Sequence, residues 1–274
     1  MQASLDREKL DMLYEEVVEA GLLAERMQGN VCRRFKEDGS VLTDADLAIS
    51  RRLIGTVSRL FPECSIISEE DETELRPDAP FTFVLDPIDG TDVYSQGLPS
   101  FAVALGILDK DRIPVGAFIS APRFGIAEHS LNIRLDPGGS MKINGREFVL
   151  HGDKDHVKQI TAGSKCQREL DFSSFCGKTR IFGSSIIHLI LPVILPDIQA
   201  CCNQPCFIWD VASAHAVLLR YGMDISYADG SAFMYDDDFV IRRKPYKGII
   251  FAGTEMARAE LQRSLRPLGK GNSQ

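Results

Sequence analysis

The segment Phe81-Thr82-Phe83-Val84-Leu85-Asp86-Pro87-Ile88-Asp89-Gly90-Thr91 constrains the chain more than any other stretch. Five residues with the apolar, β-favouring composition of a strand run directly into two carboxylates. Pro87 cannot extend a hydrogen-bonded ladder and Gly90 permits a tight backbone, so the strand is expected to end at Asp86. The loop that follows can turn the amides of Gly90 and Thr91 outward toward an anion. An Asp in a turn is often only turn chemistry. Behind an apolar strand, the whole six-residue string reads as a place where metal and phosphate meet.

Three further acidic elements accompany it. Ser68-Glu69-Glu70-Asp71 closes the apolar run Ser65-Ile66-Ile67, and charges so crowded repel unless solvent or a divalent cation relieves them. Thr43-Asp44-Ala45-Asp46 precedes a helical pattern, where Thr or Asp can serve as N-cap. Trp209-Asp210 follows Cys206-Phe207-Ile208 and opens a helical pattern through Val211, Ala214, Val217 and Leu218 that stops at Gly222. Capping accounts for one residue at each helix start and leaves the remaining acids unexplained.

Helical spacing from Leu10 through Leu13, Val17, Leu22 and Leu23, and again over Leu47, Leu53, Ile54, Val57 and Leu60, predicts two opening amphipathic helices. Strand-like runs at Ser65–Ser68, Phe81–Leu85, Phe101–Leu108, Val115–Ser120 and Glu128–Leu135, with a hairpin at Asn144-Gly145, predict a largely antiparallel sheet. Beyond the polar stretch His151–Val157, strands at Gln159–Ala162, Thr179–Phe182 and Ile198–Ala200 mix with helices at Ser184–Leu191 and Val211–Tyr221. The division is therefore an α+β part over 1–150 and a smaller α/β part over 151–274, with a weakly ordered tail at Gly269–Gln274.

The chain has 274 residues and a formal charge of −8 from 39 acidic and 31 basic residues, with no Lys/Arg run able to track a nucleic-acid backbone. Polymeric nucleic acid is not an expected partner, and a site for a small phosphate must bring its own cations. Seven cysteines, with only Cys201-Cys202 close together, do not suggest a disulfide framework or zinc site, and each is read as a small buried hydrophobe. The N-terminus lacks signal-peptide order, and the most apolar stretch, Ile186 to Leu195, contains His188 and Pro192. A cytoplasmic protein without a membrane anchor is expected. The scattered His188 and His215 fall in apolar helical runs and are assigned to packing.

Thr-Asp, Glu-Glu, Asp-Pro-Ile-Asp-Gly-Thr and Trp-Asp occur here in the order and approximate spacing of the inositol monophosphatase family, which the chain resembles from about Glu8 to Gly230. Lys36 before Asp38-Gly39-Ser40, and Gly183-Ser184-Ser185, extend the match; Lys36 reads either as neutralising part of the acidic cluster or as a solvated lysine, and Ser184 and Ser185 either as lining the pocket or as starting a helix. The resemblance implies an αβαβα layered sugar-phosphatase fold, a homodimer, lithium sensitivity and two or three Mg²⁺. It implies metal ligation by Glu69, Asp86, the Ile88 carbonyl, Asp89 and Asp210, with Asp86 bridging two ions. It further implies that Asp44 and Thr91 orient the attacking water, that Glu69 helps activate it, and that Asp89, Gly90, Thr91, Ser184, Asn203 and Asp210 contact phosphate or substrate.

The activity so implied is hydrolysis of a small phosphate monoester without a phospho-enzyme. In keeping with this, the chain has no Cys-x5-Arg loop and no Asp-x-Asp-x-Thr/Val opening. Inositol phosphates, 3′-phosphoadenosine 5′-phosphate, histidinol phosphate, a sugar bisphosphate and NADP(H) are the candidate substrates; a non-catalytic metal- or inositol-binding regulator is the alternative of another class. One departure bears on the choice. Inositol-specific relatives carry Glu seven residues before the Trp-Asp aspartate, and here that position is Asn203.

Overall fold

The computed structural model describes residues 4–125 and 128–268. Helix α1 (Arg7–Met27) is capped by the Asp6 carboxylate, which accepts from the Lys9 amide at 3.1 Å, and buries Leu10, Leu13, Val17, Ala20 and Ala24 along one stripe. A short hairpin of β1 (Arg34–Phe35) and β2 (Val41–Leu42) leads into α2 (Asp44–Leu60), which opens with a capping box formed by Thr43 and Asp46.

The first sheet keeps chain order: β3 (Ser65–Ser68), β4 (Phe81–Asp89), β5 (Ala102–Asp109), β6 (Pro114–Ala121), β7 (Leu131–Leu135), β8 (Met141–Ile143) and β9 (Arg146–Glu147), with the short helix α3 (Thr91–Ser95) between β4 and β5. Only β3 and β4 run parallel. Asn144 and Gly145 have φ of 48° and 78°, as the predicted two-residue hairpin requires. The second part comprises β10 (Gln159–Ala162), α4 (Cys166–Glu169), β11 (Leu170–Asp171), β12 (Lys178–Arg180), α5 (Ser185–Ile194), β13 (Ala200–Asn203), α6 (Ala212–Arg220), β14 (Asp224–Tyr227), α7 (Asp237–Val240), β15 (Ile250–Gly253), α8 (Glu255–Ser264) and β16 (Arg266–Pro267). Its main sheet has the order β12-β10-β13-β15-β14, with β15 antiparallel to both neighbours.

Both faces of both sheets are apolar, which is why the elements stack in five layers. Helices α1 and α2 cover Phe83, Leu85, Val103, Leu105 and Phe118 on one face of the first sheet. Helices α5 and α6 fill the space between its other face, with Val84, Ala104, Ala117 and Ile119, and the second sheet, with Cys201, Ile225 and Ala252. Helix α8 closes the outer face over Ile160, Cys202 and Phe251. The architecture is the expected αβαβα layering. Gly106 makes the inner contact possible: a Cβ there would stand 2.7 Å from the Ser213 amide nitrogen, so α6 lies directly on β5.

Several expectations shift. Strand β4 does not stop at Asp86; pairing Asp86↔Ala104 and then Asp89↔Ala102 sets three steps against two, and this bulge carries the strand past Pro87. The third strand of the second part forms at Ala200–Asn203 rather than Ile198–Ala200, placing Asn203 at a strand end. Cys32 and Cys176 are exposed, contrary to the reading of every cysteine as core, whereas Cys64, Cys166, Cys201, Cys202 and Cys206 are buried; all seven are free thiols. The tail Gly269–Gln274 lies outside the described residues, among which no helix is long and apolar enough to cross a membrane.

Two outcomes follow from this packing. Gly106→Ala must push α6 off β5 at a cost of about 1–3 kcal/mol, so calorimetry should show a melting temperature lower by several degrees; an unchanged value would refute the close contact. His188 Nε2 accepts the Phe182 amide at 2.8 Å, and burial lowers its pKa from 6.5 to about 4. The unfolded chain therefore binds the extra proton first, and stability falls as pH drops through the window from 6.5 toward 4. Denaturant titrations should show this loss reduced in His188→Gln by on the order of 2 kcal/mol between neutrality and pH 5; identical slopes in variant and wild type would contradict it.

Candidate metal and active site

Three carboxylates converge where β4 meets the middle helical layer. One oxygen each of Asp86, Asp89 and Asp210 lies within 4.8 Å of the others. The bulge in β4 turns Asp86 and Asp89 to the same place, and α6, seated on Gly106, delivers Asp210 from a turn just before its first residue. The alternative reading of Asp210 as a helix cap does not hold: Val211 takes that position, and the Asp210 carboxylate accepts the Phe207 amide at 2.8 Å.

Asp89 sits at the N-terminus of α5. Its Oδ1 accepts the Ser185 amide at 3.1 Å, and its Oδ2 accepts the Ile186 amide at 2.8 Å and the Ser184 hydroxyl. Ser184, which could line the substrate pocket or start a helix, does the second: it is fully buried, donates to Asp89 and accepts the Ile187 amide at 3.1 Å as the cap of α5, and so does not contact substrate. Asp86 is 1% exposed and its Oδ1 has no hydrogen-bond partner. Burial, reinforced by Glu69, Asp89 and Asp210, drives its pKa well above the carboxylate range. Burial and neighbouring acids raise Asp210 in the same way, and burial raises Asp89 against the α5 hydrogen bonds that favour its ionised form.

Glu69 is not one of these three, and Lys36 from the β1–β2 hairpin pairs with it. The ammonium lies 2.7 Å from Glu69 Oε1 and 2.6 Å from Glu70 Oε1. Burial pulls the Lys36 pKa down, but the two carboxylates outweigh it and hold it above its ordinary value. Oxygen donors alone, with a buried unpartnered carboxylate oxygen among them, suit a hard divalent cation such as Mg²⁺.

The assignment of Asp44 to Thr91 needs correction. Asp44 is exposed and paired with Arg34 at 2.5 Å, on the solvent side of α2. Asp46, fully buried, is the partner: Thr91 Oγ1 lies 3.3 Å from its Oδ1 and 2.8 Å from the Ile88 carbonyl. The Thr43 amide donates to Asp46 Oδ2 at 2.8 Å and the Thr43 hydroxyl at 2.5 Å, while burial lifts the Asp46 pKa to about 6. The T-x-x-D capping box was the available signal, since its fourth residue folds back over the helix start. Asn203 is fully buried at the end of β13 with its Oδ1 unpartnered, and a Cβ at Gly163 would stand 2.4 Å from that oxygen.

Five alternating layers open on a buried cluster of carboxylate oxygens of the kind that can hold a divalent cation. The chain belongs to the inositol monophosphatase family, whose sequence profile matches residues 6–260 and whose members are phosphoric monoester hydrolases. It is 32% identical over 222 residues, 73% of this chain and 78% of that protein, to the 3′(2′),5′-bisphosphate nucleotidase CysQ of Aggregatibacter actinomycetemcomitans. The match to the Nus factor SuhB of Pasteurella multocida is 33% identical over 82 residues, covering 30% of this chain and only 31% of that relative. Among solved structures, the extragenic suppressor protein suhB of Bartonella henselae superposes with a TM-score of 0.75 at 22% identity, over 95% of this chain and 98% of that one.

The position of Asp46 separates two variants that sequence alone does not. Asp46→Asn and Thr91→Ala should each lower kcat for phosphate release by about 10² or more, with Asp44→Asn staying within about twofold of wild type. Equal losses at Asp44 and Asp46 would reject the pairing.

Proposed function

We propose that this chain is a Mg²⁺-dependent phosphatase of small phosphate monoesters, with Glu69, Asp86, the Ile88 carbonyl, Asp89 and Asp210 as the metal ligands. The observation that carries the proposal is the Asp86-Asp89-Asp210 cluster with its unpartnered Asp86 oxygen, an arrangement that favours a cation over three buried charges. Bound Mg²⁺ would reverse the local field for a phosphate dianion, lower the pKa of water and stabilise the leaving oxygen.

The protein's own groups supply the orientation. With its proton donated to Ile88 or Asp46, the Thr91 hydroxyl offers lone pairs to a water and so fixes where that water points. Asp46, with a pKa of about 6, can accept a proton near neutrality. The Gly90 and Thr91 amides, at the tight turn into α3, are assigned to the phosphate oxygens. Homodimeric assembly and lithium inhibition belong to the same proposal as properties the family resemblance implies, and a cytoplasmic setting belongs to it from the cysteine usage of the sequence.

Asn203 is fully buried, so it bears on the substrate only through the charge that its position does not supply, and this narrows the substrate class. An amide donates and accepts but carries no charge, and charge-assisted hydrogen bonds are about twice as strong as neutral ones. Loss of the carboxylate weakens the grip on inositol hydroxyls and weakens still more the grip on the ammonium of histidinol phosphate. The CysQ relative, named a bisphosphate nucleotidase, adds support for an adenylate. Activity should disappear on chelation and return with Mg²⁺, and Asp89→Asn or Asp210→Asn should lower kcat by about 10² or more. A panel of phosphate esters at saturating Mg²⁺ should then favour an adenylate or sugar phosphate in kcat/KM; a tenfold lead for myo-inositol 1-phosphate or histidinol phosphate would overturn the reading of Asn203.

A further inference from the structure

Arg243 links the two walls of the site. Its φ of 51° lies in the left-handed region, which a residue with a Cβ enters only when its surroundings enforce it. Here α7 enforces it, through the Arg242 amide on the Asp237 carbonyl and the Lys244 amide on the Asp238 carbonyl, both at 2.9 Å. From this fixed base the guanidinium crosses to the first half of the chain. Nη1 donates to the Asp71 carbonyl at 3.1 Å, and Nη2 donates to the Thr73 carbonyl and, at 3.1 Å, to the Thr73 hydroxyl. Asp71 and Thr73 belong to the loop leaving β3, immediately after Glu69 and Glu70.

Three residues further on, Tyr246 grips the opposite wall. Its amide donates to the Cys206 carbonyl at 3.2 Å, its hydroxyl donates to the Gln204 carbonyl and accepts from Cys206 Sγ at 3.4 Å. That segment begins at Asn203 and runs directly to Asp210. One short stretch of chain thus holds the loop that carries Glu69 and the loop that carries Asp210, which no strand pairing joins.

We propose that residues 243–246 form a strap that fixes the separation of Glu69 from the Asp86-Asp89-Asp210 cluster, with Arg243 as a positioning residue for cation binding. The inference rests on the metal reading given above. A planar guanidinium suits the task because its rigid fork spans two carbonyls at once, whereas a lysine ammonium is a point charge on a flexible stem. Without the fork, the loop that carries Glu69 loses its tie to the second half of the chain, and the distance from Glu69 to the cluster is no longer fixed.

The test is calorimetric titration of Mg²⁺ into purified protein without substrate, with folded content monitored by far-ultraviolet circular dichroism. Arg243→Ala should bind Mg²⁺ at least about fivefold more weakly than wild type while keeping its folded content, and Arg243→Lys should fall between the two. Wild-type affinity in either folded variant overturns the strap, as does a loss of binding only in proportion to unfolded protein. Should Arg243→Ala not fold, the lysine variant alone decides. A wild-type protein that takes up no Mg²⁺ overturns the metal reading and this inference with it, whereas Mg²⁺ uptake unaffected by either variant overturns only the strap.

Discussion

Mutual repulsion among buried carboxylates is the constraint that organises this molecule. At separations below 4.8 Å, each ionised pair among Asp86, Asp89 and Asp210 costs about 3–4 kcal/mol at an effective dielectric of about 20. Three such pairs rival the whole stability of an ordinary domain, about 5–15 kcal/mol. The surrounding structure supplies partial relief at every acid except one. The N-terminus of α5 donates to Asp89, the Phe207 amide donates to Asp210, and Lys36 holds Glu69 and Glu70. Asp86 retains an oxygen with nothing bound to it, and that is where a cation gains most.

The five layers make this relief possible. The middle helices, α5 and α6, both begin at the acidic cluster, so the partial positive charge of two helix starts faces it. Each depends on close packing against a sheet, and Gly106 shows how little room the arrangement leaves. A bulge in β4 does the complementary work by turning two carboxylates three residues apart to the same side.

What could be read from the sequence was what local periodicity encodes. The stripe of α1, the apolar runs of the first sheet and the Asn144-Gly145 turn depend on neighbours within a few residues, and the structure reproduces them. The acidic string at Asp86–Asp89 was legible because its composition is unusual. Asp44 and Asp46 were separable only through the capping box, whose T-x-x-D spacing marks Asp46; helical periodicity alone does not say which of two acids in a first turn points inward. Ser184 misled for a related reason: a serine at a helix start can cap or contact a ligand, and its burial under Asp89 is a tertiary fact. The insertion of β15 between β13 and β14, and the reach of Arg243 across 172 positions to Asp71, come from long-range contacts with no local signature.

The central place of β15 in the second sheet has a consequence for how the protein is made. Strand β13, which ends at Asn203, is completed on one edge by Ile250–Gly253, a segment that leaves the ribosome some fifty residues later. Until that segment pairs, β13 has an open edge in the second sheet. The sheet that backs the middle helices is thus closed by one of the last strands to be made, and a chain that ends before Ile250 lacks the partner of Ala200–Asn203.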